Sequence, residues 1–490
     1  MTALQDLLEF DRQTQALGQI AGRLGWDQET MMPTGSAPQR GAEMAAIEGV
    51  LHSRRSDPRV GEWLAAANAD DPAQAAMLRE IQRGYDRATK VPSDLAQTIA
   101  DVTSQSQGKW AAARADDDFA AFAPVLAQVL ALKREEGQAL AEGGGDLYDA
   151  MLQDYEPGST AAELGAMFAA LRPGLVDLRA AILDKPAPKA LDFEFDPALQ
   201  MKLATKLAQD FGYDLSKGRL DKAVHPFSSG SGHDVRITTR TAPRDPFNCF
   251  YSTIHEVGHA CYEQNVDDDY ALTAIGGGVS MGVHESQSRI YENQLGRSEA
   301  FCTYLYGQMR DTFGDFGVDN PWDFYRVVNH VSDGFIRTEA DEVQYNLHVL
   351  LRFDLERALV SGDLAVNDLE AAWNDRFAAD FGFAVDKASN GCLQDVHWSI
   401  GLFGYFPTYS LGNVYAGCLH QALRGHVPGL DAQLQAGDTS AATGWLGDNL
   451  QRHGALKSAK DTIRDACGFD PSEAPLMGYL TDKFTRLYDL

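Results

Sequence analysis

Positive charge is scarce in this chain. Its 42 Lys and Arg residues are outnumbered by 70 Asp and Glu, leaving a formal net charge of −28. Nucleic acids and anionic membrane surfaces reward clustered basic side chains, so neither is an expected partner. A long apolar run is also missing. No stretch approaches the ~20 apolar residues that span a bilayer, and Met1 to Leu24 alternates charged and apolar residues without the basic start and apolar core of a secretory signal. A soluble, cytoplasmic protein is expected. Cysteine is sparse: Cys249, Cys261, Cys302, Cys392, Cys418 and Cys467 are the only six, and none forms a C-x-x-C pair. That excludes a disulfide framework or a zinc-finger cluster and predicts reduced, mostly buried thiols. No internal repeat is present.

What is there is an ordinary globular composition, 44% hydrophobic and 23% charged over 490 residues, so core size is not limiting. From Leu4 to about Lys222 the pattern is helical. Leu17, Ile20 and Leu24 keep one face, and Met44, Ile47 and Leu51 keep another after a break at Pro33 to Pro38. Amphipathic runs follow at Phe119 to Leu132, Ala161 to Leu183 and Leu199 to Phe211, separated by Gly- and Pro-rich breaks. This half holds no metal or nucleophile constellation and reads as a helical wall. After Lys222 the texture changes: a turn-rich loop, His225 to Gly232, precedes Asp234 to Arg240, which alternates as a strand does. An edge strand there would let an extended peptide add itself by backbone hydrogen bonds.

The most informative stretch comes next. His255-Glu256-Val257-Gly258-His259 lies in a run where Phe247, Phe250, Ile254, Val257 and Cys261 recur at helical steps. Histidines four apart share one helix face about 6 Å apart along the axis, so both can hold one metal ion. Glu256, about 100° round from His255, can reach a water on that ion without being a ligand. The pattern is that of a zinc hydrolase.

A third ligand is needed. Metzincins place a glycine and a third histidine where this chain has Tyr262 and Asn265, so that arrangement is excluded. Glu263 lies about 12 Å along the axis from His255, too far to share its ion. The next helix candidate, after Gly276-Gly277-Gly278, carries His284-Glu285-Ser286-Gln287. Glu285 is the preferred ligand, since two imidazoles and a carboxylate leave one position for water; Glu292 is the fallback. His284 points elsewhere on that helix, towards substrate or a supporting hydrogen bond. With zinc lowering the pKa of its bound water and Glu256 taking the proton, peptide or amide hydrolysis is expected. His397, Tyr405 and Tyr409 are candidate donors to the oxyanion. A carboxypeptidase would need an arginine for the terminal carboxylate, and Arg236, Arg240 or Arg337 would serve.

Beyond the metal motif the chain carries His225-Pro226-Phe227, Asp234-x-Arg236-x-Thr238, His284 to Gln287, Ile336-Arg337-x-x-Ala340-Asp341 and Gly391-x-x-Gln394-Asp395-x-His397-Trp398, in that order. In these signatures, and in Trp26-Asp27 and Tyr148-Asp149 through Gly158, it resembles the carboxypeptidase Taq family of zinc metallocarboxypeptidases over nearly its whole length. The resemblance implies a mainly α fold: a large helical single-chain metallopeptidase with a deep central cleft and a small β-sheet beside the zinc helix, of neurolysin-like and angiotensin-converting-enzyme-like architecture. Residues 1–490 would form a single domain, with 1–222 as helical wall, 223–412 as catalytic region and 413–490 as C-terminal helices. It also implies a homodimer that removes C-terminal residues from peptides with broad specificity, sparing proline.

By the same resemblance one Zn2+ per chain, replaceable by Co2+, is held by His255, His259 and Glu285, with Glu256 as general base. His397 and Tyr409 would stabilise the transition state, while Arg236, Arg337, His225 and His284 would contact substrate. Two alternatives stand beside it. One is an endopeptidase or oligopeptidase with the same cleft; the other is a non-catalytic binding protein with structural zinc, against which the presence of Glu256 argues.

Overall fold

The computed structural model of the chain describes residues 2–141 and 143–490. It is mainly α, with one small three-stranded sheet. The chain forms two compact units, each built from separated segments: Met1–Thr89, Pro188–Asn329 and Tyr415–Pro471 make the first, and Lys90–Ala187, His330–Val414 and Ser472–Leu490 the second. The N-terminal helical stretch is therefore shared between both units. No helix among the described residues is long and apolar enough to cross a membrane.

In the first unit the sheet is laid against the helix that carries the metal motif. Its strands are β1 (Leu220–Lys222), β2 (Ser228–Ser231) and β3 (Asp234–Thr239), in the order β1-β3-β2, with β1 parallel and β2 antiparallel to β3. The alternation around Asp234 does mark a strand, and Val235 and Ile237 point into the core with no exposed surface. The motif helix, Pro246–Asn265, starts where Asp245 accepts a hydrogen bond from the Asn248 N–H and Pro246 occupies the first turn. It is fastened to the sheet at both ends: the Thr239 hydroxyl donates to the Cys249 carbonyl at 3.0 Å, and the Gly232 N–H donates to the Glu263 carbonyl at 3.2 Å.

The amphipathic reading of the first helices needs a correction. In the helix Ala3–Thr30 the buried positions include Leu4, Leu7, Ala21 and Trp26, whereas Ile20 is 47% exposed. The face defined by Leu17, Ile20 and Leu24 is rotated from the line of Leu4, Leu7, Thr14 and Ala21 that is buried, leaving Leu17 and Leu24 half-buried. In the helix Ala37–Arg55 only Leu51 is buried, with Met44 and Ile47 half-buried. All six cysteines are free and buried, as their spacing suggested.

The second unit contains the helices Phe119–Leu140, Ala161–Leu183, Gln344–Ser361 and Leu369–Phe381. Gln344–Ser361 packs against the other three and is buried on nearly every side, including its polar residues His348, Arg352 and Glu356. Glu356 accepts hydrogen bonds from the Tyr148 hydroxyl, the Trp398 indole and the Gly404 N–H at 2.7, 2.8 and 3.1 Å. Burying a carboxyl requires such donors.

Candidate metal centre

The motif helix crosses a second short helix, Met281–Arg289, capped by the Ser280 hydroxyl. What allows the crossing is Gly258. A Cβ at this position would lie 2.5 Å from the Gln287 carbonyl oxygen and 2.6 Å from the Ser288 Cα, so only glycine permits the backbones to approach this closely. The approach sets Glu285 beside both histidines. Its Oε2 is 3.8 Å from His255 Nε2 and 3.4 Å from His259 Nε2, and one donor atom from each of the three residues lies within 4.8 Å of the others. Two imidazole nitrogens and a carboxylate oxygen are a donor set suited to a catalytic divalent cation, one short of the four protein ligands of a closed structural zinc site.

The protonation states agree with that use. Burial alone would raise the Glu285 carboxyl, but Arg289, which donates to it at 2.7 Å, and the two histidines hold it well below the usual carboxylate range. Burial pushes His259 down to about 3, so its imidazole is neutral and able to ligate. His255 is desolvated too, yet the carboxylates of Glu285 and Glu292 outweigh this and raise it. Glu256 is buried beside His255, and desolvation pushes its carboxyl up to about 7 against the opposing pull of that histidine.

Each ligand histidine is held from behind. His255 Nδ1 lies 2.9 Å from Glu292 Oε2, and the other Glu292 oxygen accepts from Arg297 at 3.2 Å. Glu292 belongs to a π-helical segment, Ile290–Gly296, that continues the second helix, and so faces the far nitrogen of His255. His259 Nδ1 lies 2.6 Å from His284 Nδ1, and His284 Nε2 lies 2.9 Å from Glu263 Oε1. Both ring nitrogens of His284 are thus engaged within the centre.

The other candidates make contacts of their own. Arg236 forms a fork with Asp234, at 2.7 and 3.0 Å, and stacks on Trp26 with 4.6 Å from guanidinium to ring centre. Arg240 donates to Asn248, and His225 is exposed between β1 and β2. Arg337, His397, Tyr405 and Tyr409 form a cluster of their own in the second unit. Arg337 is buried; it donates to Asp395 Oδ1 at 2.9 Å and to the Tyr345 hydroxyl at 3.0 Å. Arg352 donates to the other oxygen of Asp395 at 2.7 Å. The His397 ring is neutral, pushed down to about 4 by burial despite the nearby Asp395, and its Nε2 faces the Tyr409 hydroxyl at 3.4 Å.

Sequence reasoning missed the roles of Gly258 and Arg352, and weighed Glu263 only as a ligand and not as the partner of His284. Gly258 stood inside the motif, but only a known crossing partner gives it a role. Arg352 does belong to a readable polar row, His348, Arg352 and Glu356 at every fourth residue of Gln344–Ser361.

The model of the carboxypeptidase Taq (M32) metallopeptidase family matches residues 6–484. The chain is 39% identical to thermostable carboxypeptidase 1 of Thermus thermophilus, covering 99% of both chains, and 33% identical to carboxypeptidase 1 of Bacillus subtilis, covering 94% of both. Its structure is similar to the crystal structure of an M32 carboxypeptidase from Deinococcus radiodurans R1, with a TM-score of 0.97, 38% identity and full coverage of both chains.

Proposed function

We propose, from the premise that this chain belongs to the carboxypeptidase Taq (M32) metallopeptidase family and is a metallocarboxypeptidase, that it removes C-terminal residues from peptides by zinc-dependent hydrolysis. Specificity is broad and poor at C-terminal proline. His255, His259 and Glu285 would hold one Zn2+, which Co2+ can replace. The observation that carries this is the convergence of those three donors beside a buried Glu256. When bound, the ion supplies Lewis acidity, polarising the scissile carbonyl and acidifying a water.

The protein's own groups do the rest. Glu256 takes a proton from the attacking water and passes it to the leaving amine nitrogen; its high-set carboxyl suits both acceptance and return near neutrality. His397, as a neutral imidazole, and the Tyr409 hydroxyl offer N–H and O–H donors to the oxygen on which charge develops.

Burial favours the Arg337 cluster over Arg236 for the substrate's terminal carboxylate. Arg236 and Arg23 share Asp234 as Arg337 and Arg352 share Asp395, but the first pair reaches solvent while Arg337 and Arg352 are buried. The latter cluster keeps a surplus positive charge in a buried setting, where it attracts an anion strongly. His225 contacts substrate from its exposed loop. The enzyme works as a cytoplasmic homodimer with residues 1–490 as one catalytic domain.

Mass spectrometry of a defined peptide incubated with the enzyme tests the proposal. The expected result is a ladder shortening from the C-terminus, abolished by a chelator and restored by zinc. A ladder that persists at full rate after chelation contradicts it.

A further inference from the structure

We infer that His284 is a positioning residue for His259, and that His259, His284 and Glu263 form an imidazole–imidazole–carboxylate relay fixing which nitrogen of His259 is offered to the metal. The inference rests on the assignment of His255, His259 and Glu285 as ligands.

The tautomers follow from the contacts. His284 Nε2 faces the Glu263 carboxylate at 2.9 Å, so this nitrogen carries the hydrogen. Two ring nitrogens that face each other need one acceptor, and with His259 Nε2 turned to Glu285 that acceptor is His284 Nδ1. The atom facing that acceptor, at 2.6 Å, is His259 Nδ1, which must therefore donate. With its hydrogen committed to Nδ1, His259 turns the lone pair of Nε2 towards Glu285 Oε2, 3.4 Å away.

The far end is anchored. Glu263 Oε1 also accepts the Gly278 N–H at 2.9 Å. The His284 ring is confined: a Cβ at Gly278 would come within 2.6 Å of its Cδ2, and the Tyr262 ring lies 5.3 Å away centre to centre. His255 reaches the same tautomer by a shorter route, with Glu292 directly on its Nδ1. The two ligand histidines thus share one logic, a carboxylate behind the ring, but His259 has a second imidazole interposed.

The test is the zinc dissociation constant of the apoenzyme, measured by competition with a chromophoric chelator. His284→Leu removes the acceptor for His259 and should weaken zinc binding about 10- to 100-fold. His284→Gln can accept from His259 with its amide oxygen and donate to Glu263 with its amide nitrogen, so it should bind within about threefold of the parent. Glu263→Leu removes the acceptor for His284; it should weaken binding in the parent background and add nothing in the His284→Leu background, because the two act in series.

His259→Ala separates the two levels of inference. If it binds zinc like the parent, the ligand assignment itself fails. If it loses zinc while His284→Leu binds as the parent does, the relay is overturned. The relay is equally overturned if His284→Gln is as weak as His284→Leu. Should His284→Leu not fold, a Glu263→Leu protein with unchanged zinc affinity overturns it alone.

Discussion

Glu256 is placed one residue past the first histidine of the motif, buried, and titrates near 7, where a carboxyl can both accept and return a proton. Glu256→Gln keeps the shape of the side chain and removes that chemistry. It should leave zinc affinity within about threefold and lower kcat by about 10²- to 10⁴-fold; a variant that binds zinc and turns over like the parent contradicts the role. The buried carboxyl of Glu356 makes a separate prediction about stability. Desolvation raises it from 4.5 to about 7 in the folded chain, so between those values the folded state holds a proton that the unfolded state has lost. Its contribution is therefore complete below pH 4.5 and falls as pH rises to about 7, by roughly 3 kcal/mol. Thermal unfolding at pH 5 and pH 8 should show a larger drop in the parent than in Glu356→Gln. An equal drop in both would contradict the sign.

Two helices make the metal centre, and their crossing is the element on which it depends. Gly258→Ala places a methyl against the Gln287 carbonyl and Ser288 Cα, at separations no Cβ tolerates. The helices must part, which should cost about 1–3 kcal/mol of stability and move Glu285 away from the histidines. Calorimetric unfolding and zinc titration of this variant should both show the loss; unchanged zinc affinity would show that the crossing is not what sets the ligand geometry. Here the limits of the sequence become clear. The spacing of His255 and His259 reads directly as a shared helix face, and excluding Asn265 and Glu263 leaves Glu285 as the preferred third ligand with Glu292 as fallback. The crossing does not follow, because nothing in Val257-Gly258-His259 names Gln287 as the neighbour. The π-helical turn that aims Glu292 at His255 is equally unreadable, since its residues are ordinary helix formers. For Ile20, periodicity found a helix but not which side of it is covered.

For the whole molecule, the two units each draw on segments far apart in the chain, an organisation that no local composition shift marks. The three residues that could hold a metal all belong to the first unit, on residues 255–285. Zinc bound only by the folded state stabilises it by mass action, by about 4 kcal/mol at a thousandfold excess over its dissociation constant. Chelation should therefore lower the unfolding temperature of the parent and of Glu256→Gln alike, and leave His259→Ala unmoved. A parent whose unfolding temperature ignores the chelator would speak against a zinc site of useful affinity.

The central claim is that the hydrolytic chemistry is directed at a chain end bearing a free carboxylate. The most direct measurement is a time course, by mass spectrometry, of one peptide supplied in a single reaction as its free acid and as its isotopically marked C-terminal amide. The free acid should shorten residue by residue while the amide remains intact. Equal consumption of the two, or internal fragments from the amide, would contradict a carboxypeptidase and point instead to an endopeptidase.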